Sequence, residues 1–130
     1  MAHFDRHCRD CELILGKRHE DVNRWLDELM RQYGIMHRRY RHHWGGVREV
    51  QARFGDEGAK AAIVHIVRDC GAVHRERDYG HGVDDFGTAY EPGEGLIVRP
   101  PEMLMYDGEE KAVDKFRRAV EDEFRKFLGK

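Results

Sequence analysis

Gly55-Asp56-Glu57-Gly58 constrains this chain more than any other stretch. Two glycines and two acids, with no apolar side chain among them, form a turn between two segments of helical period. Upstream, Met36, Tyr40, His43, Trp44, Val47, Val50 and Phe54 form one apolar stripe over residues 35–54. Downstream, Ala59, Ala62, Ile63, Ile66 and Cys70 form another over residues 58–70, and Gly71 is a natural C-cap. Two helices joined so tightly pack antiparallel. Gly45-Gly46 lies inside the first of them, at about 1 kcal/mol per glycine relative to alanine, so the helix kinks there or another group approaches closely.

The remaining elements are helical as well. Residues 4–15 read as a short helix ended by Gly16. Residues 20–33 read as an amphipathic helix, with Val22, Trp25, Leu26, Leu29, Met30 and Tyr33 on one face and Gly34 at its end. A last helix starts at an Asp107 cap and runs to 129, with Phe116, Val120, Phe124, Phe127 and Leu128 in its stripe. Between them, residues 76–106 are rich in glycine and proline. They read as a long irregular arm with room for one short β-hairpin from Leu96-Ile97-Val98 and Met103-Leu104-Met105. The expectation is a mainly α single domain over 1–130. It comprises a motif-bearing bundle (1–75), the arm (76–106) and a C-terminal helix (107–129), a helical bundle of four to five helices in all.

Charge narrows the function. The net charge of -2 argues against a dedicated nucleic-acid binder, although residues 36–54 place Arg38, Arg39, Arg41, Arg48 and Arg53 against Glu49 alone. No apolar run reaches the roughly 20 residues of a membrane span, and the N-terminus lacks the apolar core of a signal peptide. A cytoplasmic protein is expected. Three cysteines, Cys8, Cys11 and Cys70, make no disulfide framework.

Nine histidines in 130 residues are the chemical signal. On an unbroken 35–54 helix, His42, Gly46 and Glu49 share a stripe, and the glycine leaves room beside it. On the next helix His65 and Asp69 are i, i+4 neighbours. Across an antiparallel pair these four side chains face one cleft. Two imidazoles and two carboxylates suit zinc, manganese or iron. His43, on the apolar stripe, is a fifth ligand, an outer partner or a satisfied core histidine. Arg38, Arg41 and His37 are candidate substrate contacts. His7 is a secondary candidate. So is a Cys₃His zinc site from Cys8, Cys11, Cys70 and one histidine, against the alternative of small buried thiols.

The run His37-Arg38-x-x-Arg41-His42-His43-x-x-Gly46-Val47, with Glu49, Phe54 and Gly55, then His65-Ile66-x-x-Asp69-Cys70-Gly71, resembles a family of small bacterial and phage proteins of unknown function. Its pattern is H-R-A-L-R-H-H-x-x-G-I-F-x-x-E-x-x-F-G followed by H-V-x-x-D-x-G. Met1-Ala2-His3, His7, Gly16 and Trp25-Leu26-Asp27 fit it too. The chain departs from it at Ile63-Val64, where the family often has Glu-Gln, and the resemblance ends near residue 75. It implies a polar site, a bacterial or phage-infected cell, and no particular activity.

Two functions are therefore expected to compete. One is a metal-dependent hydrolase of phosphoesters, with the arginines neutralising phosphate. The other is a non-enzymatic interaction or assembly protein, phage-encoded, acting as a homo-oligomer through the arm or the C-terminal helix.

Overall fold

A computed structural model describes residues 4–84, 87, 89 and 110–129. It is mainly helical. The elements are α1 (Phe4–Leu15), α2 (Glu20–Asp27), α3 (Met30–Tyr33), a 3₁₀ turn (Gly34–His37), α4 (Arg38–Arg41), α5 (Trp44–Cys70), a second 3₁₀ turn (Glu76–Asp78) and α6 (Glu110–Leu128). Among the described residues no strand forms. The first part of the arm makes only single bridges, Tyr79 to Val83 and Val83 to Ala89. The apolar runs at 96–98 and 103–105 and the Asp107 cap lie outside the described residues.

α5 is the hub. Helical by its hydrogen bonds, it is broken at Gly55, whose φ of 83° and ψ of -176° are open essentially to glycine alone. A straight helix of its 27 residues would be roughly 40 Å long. Yet His42, just before it, lies 3.2 Å from Asp69 near its far end. The chain therefore doubles back at Gly55. The second arm, 56–70, runs through the middle of the protein, with Ala59, Ala61, Ala62, Ile63, Val64, Ile66 and Val67 all buried. A helix apolar on every side is a central one. α1, α2 and α6 pack around it, completing one core with Cys11, Val22, Leu26, Val47, Val50, Phe116 and Val120.

Two expected helices are interrupted. The 20–33 segment breaks after Asp27. Arg41 Nη1 donates to Trp25 O at 2.6 Å, taking the carbonyl that a continuing helix would offer to residue 29. The 35–54 segment breaks at His42 and His43. His43 is extended (φ -159°, ψ 176°) and caps α5, its Nδ1 accepting from Gly46 N at 3.1 Å. Gly45-Gly46 thus occupies the first turn of α5. The backbone of Arg41 crosses directly over Gly46, where a Cβ would stand 1.8 Å from Arg41 O.

α6 lays its stripe on α5. Phe116 and Val120 are buried, and Phe127 stacks parallel on Trp44 at 6.4 Å. Phe116, Ala119, Val120, Phe124 and Phe127 are taken up by this chain's own core, while Leu128 is 64% exposed. α1 is pinned to α5 by a buried ion pair. Arg68 donates to both oxygens of Asp10 at 2.6 Å while its guanidinium lies over the Phe116 ring.

Gly46→Ala should destabilise the fold by about 3 kcal/mol or more, because the obstructing atom is backbone and cannot swing away. A denaturant midpoint unchanged from the parent would contradict that packing.

Candidate metal centre

Three breaks or element ends and two helix faces deliver six polar side chains to one point. α1 brings His7. The last residue of α2 is Asp27. His37 closes the first 3₁₀ turn, and His42 stands in the gap before α5. His65 and Asp69 sit one turn apart on the second arm of α5. Five of the six side chains are wholly buried, and Asp27 retains 19% exposure.

Donor atoms of Asp27, His42, His65 and Asp69 all lie within 4.8 Å of one another. The nearest approaches are His65 Nε2 to Asp27 Oδ1 at 3.2 Å and to Asp69 Oδ2 at 3.5 Å, and His42 Nε2 to Asp69 Oδ2 at 3.2 Å and to Asp27 Oδ1 at 3.6 Å. Donors held about 2.1 Å from one ion stand roughly 3.0 Å apart on neighbouring octahedral corners and roughly 3.4 Å apart on tetrahedral ones. This group could hold a metal ion with little rearrangement.

Hydrogen-bond roles sharpen the point. Asn23 Nδ2 donates to the carbonyls of Arg18 and His19, both at 3.0 Å, so its Oδ1 is the atom facing His65. His65 Nδ1 must then donate to it, at 2.8 Å. His37 Nδ1 likewise donates to Gly34 O at 2.6 Å. Each ring has spent its outer N–H on an acceptor. Their Nε2 atoms therefore face the same carboxylate oxygen, Asp27 Oδ1, at 3.1 Å from His37 and 3.2 Å from His65. A neutral ring would point a lone pair at an anion. At His65, a cation, a proton or a metal, satisfies both sides. Anchoring the outer nitrogen in this way is also how metal-binding histidines are oriented.

Electrostatics agree with that requirement. Burial disfavours a charge on His65, but the carboxylates of Asp27 and Asp69 outweigh it and hold the ring up at about 9. Burial lowers His42 to about 4, with only partial relief from Asp69. Burial and the neighbouring His65 also lower His7. Desolvation would raise Asp27 and Asp69, yet the surrounding imidazoles keep both well below the ordinary carboxylate range. Arg38 adds a buried cation, with Nη1 donating to Asp69 O at 3.1 Å and Nη2 lying 3.5 Å from Asp69 Oδ1.

Of the residues expected from sequence, the structure brings His42, His65 and Asp69 together and adds His7 and His37. It does not bring Glu49 or His43. Glu49 stands on the exposed face, its carboxylate bonded to Arg53 at 2.9 Å, because the break at 42–43 destroys the stripe it would share with His42. His43 is satisfied at both nitrogens, by Gly46 N and by Tyr40 O. Arg41 lies on the Trp25 ring and bonds Trp25 O and Glu28, and Arg38 is buried on Asp69, so neither guanidinium awaits a substrate. The cysteines form no group. Cys8 and Cys11 share Asn23 while Cys70 lies beside the Tyr79 hydroxyl, and burial pushes the Cys11 thiol up to about 12, far from the thiolate that zinc requires.

Asp27 is the functional residue that sequence reasoning passed over as a ligand. Its signal was present in the i, i+4 pair Asn23-Asp27, two polar positions flanking the buried Val22 and Leu26. Comparison with family models, curated proteins and solved structures finds no significant match to this chain.

His65 sets a pH dependence. Its folded value stands above the ordinary one, so below about 9 the ring carries a proton that a metal must displace. Zinc affinity should rise about tenfold per pH unit up to that point and level off above it, with about one proton released per ion at pH 7.5. Titration calorimetry in two buffers of different ionisation enthalpy reads the release directly. No proton release would refute the protonated ring.

Proposed function

We propose that this protein is a metalloprotein that holds one divalent transition-metal ion, zinc, manganese or iron, through Asp27, His42, His65 and Asp69. The observation that carries this reading is the meeting of one donor atom each from Asp27, His42, His65 and Asp69 within 4.8 Å, with His65 fixed as an Nδ1–H donor so that its Nε2 faces both carboxylates. Two carboxylates supply the negative charge that a buried divalent ion needs, with Arg38 beside Asp69 as a further cation. Membership of the family of small bacterial and phage proteins that the sequence resembles is part of the proposal, since six of the residues matched to it, His7, Asp27, His37, His42, His65 and Asp69, meet at this point.

Elemental analysis of protein exposed to zinc, manganese or iron and then dialysed should find about one equivalent. Asp69→Asn and His65→Ala should lose it, and the exposed Glu49→Gln should keep it. Retention of the ion by both site variants would overturn the assignment.

Hydrolysis is a second reading, favoured by the donor set. Nitrogen and carboxylate oxygen without thiolate is the composition of zinc sites that activate water. Substrate could approach only beside Asp27, the one partly exposed member. The metal-loaded protein should then cleave a small phosphoester such as p-nitrophenyl phosphate, and Asp27→Asn should abolish the turnover. Equal turnover by the metal-free protein would exclude a metal-dependent reaction. The assembly role draws less support, because α6 spends its stripe on α5.

A further inference from the structure

We propose that His7 is a fifth ligand, lent to the centre by α1, so that binding an ion fastens the N-terminal helix to the rest of the protein. This rests on the metalloprotein reading and extends it to a residue outside the four whose donors cluster most tightly.

His7 is fully buried, and neither ring nitrogen has a hydrogen-bond partner among the described residues. An imidazole shut away from water with both nitrogens unused is costly unless something else occupies one of them. Its Nε2 is aimed at the right place, 3.4 Å from Asp69 Oδ2 and 3.8 Å from Asp27 Oδ2, the two carboxylates of the centre. The ring lies flat against His65, centroids 3.5 Å apart and planes within 11°, so one ring tilts off the stack for both Nε2 lone pairs to meet at one ion. Both Nε2 atoms therefore approach Asp69 Oδ2 from neighbouring positions, 3.4 and 3.5 Å away.

The position is set by a device independent of the ion. His7, Asp10 and Cys11 fall at i, i+3 and i+4, on one face of α1. Asp10 is held by Arg68, which lies between His65 and Asp69 on α5, and Cys11 Sγ contacts Ala61 O at 3.8 Å. The same turn of α5 that supplies two ligands thus fixes the register of the helix supplying a third. With the register fixed, the ion adds a bond between α1 and α5 that the ion pair alone does not provide. Ligands from distant segments that meet at one ion restrict whichever segment is otherwise freest to open.

The test joins zinc titration with amide hydrogen exchange in the full chain. In the parent, zinc should slow exchange across α1 at least tenfold. His7→Ala should still take up zinc through the other four ligands, with affinity lowered about 10- to 100-fold, and its α1 should gain no protection. If His7→Ala fails to fold, His7→Phe keeps the stack on His65 without a donor atom and carries the same expectation. Millimolar imidazole should restore affinity to His7→Ala by filling the vacated space, but not the protection of α1, because the free ligand is not tethered. Unchanged affinity in the variants, or α1 protection equal to the parent's, would overturn the role of His7 and leave the four-ligand centre standing. No zinc uptake by the parent would bring down both.

Discussion

Asp27 and Asp69 cannot sit where they do without positive charge beside them. A carboxylate removed from water, with nothing to compensate it, costs far more than a domain of this size has in stability. Here Asp69 is wholly enclosed and Asp27 nearly so, and the fold surrounds them with four imidazoles and the Arg38 guanidinium. With no ion bound, a proton on His65 and the charge of Arg38 offset two carboxylates. By that count the cluster is neutral, so it can fold before an ion arrives. A divalent ion replaces that proton with two charges on the same donors. Ligand present at a thousand times its dissociation constant would add about 4 kcal/mol, comparable to the loss of a large core side chain.

The outer contacts matter as much as the donors. Asn23 does three things with one amide. It takes the Nδ1 proton of His65, closes the carbonyls of Arg18 and His19 before α2, and lies within 3.5 Å of the Cys11 sulfur. Gly34 O fixes His37, and the left-handed φ of 60° at Gly34 sets the direction of that carbonyl's turn. α2 and the 3₁₀ turn beyond it thus carry the acceptors that orient these rings, Asn23 Oδ1 and Gly34 O. The helical periodicity of residues 20–41 gives way to short pieces there.

Much of the bundle was legible in sequence because its signals are local. The α1 boundaries, the doubling back at Gly55, the i, i+4 pair His65-Asp69 and the stripe of α6 need only helical period and glycine chemistry. The breaks were not legible, because tertiary contacts impose them. Arg41 capturing Trp25 O and His43 capping α5 both involve side chains that look compatible with a continuing helix. Each break changed a site assignment. An unbroken 35–54 helix aligns Glu49 with His42, whereas the extended His43 turns Glu49 outward to Arg53. In the 20–33 segment Asp27 lies one helical turn after the buried Asn23, so its direction follows from α2 itself, while the break after it lets His37 reach its carboxylate. His7 carried too little periodic context in a short helix to stand out from its neighbours.

Donor chemistry and access point in different directions, and the difference constrains function. A shell of imidazole and carboxylate leaves an ion able to polarise water, while thiolate sites serve mainly to hold structure. Yet five of the six side chains are closed to solvent, and the arginines nearby are committed to Asp69 and to Trp25. A bulky phosphoester would find neither Arg38 nor Arg41 available to neutralise it. What reaches the centre must pass the edge of Asp27, beside His37. Asp27 is thus both one of the two carboxylates of the cluster and the member that meets solvent.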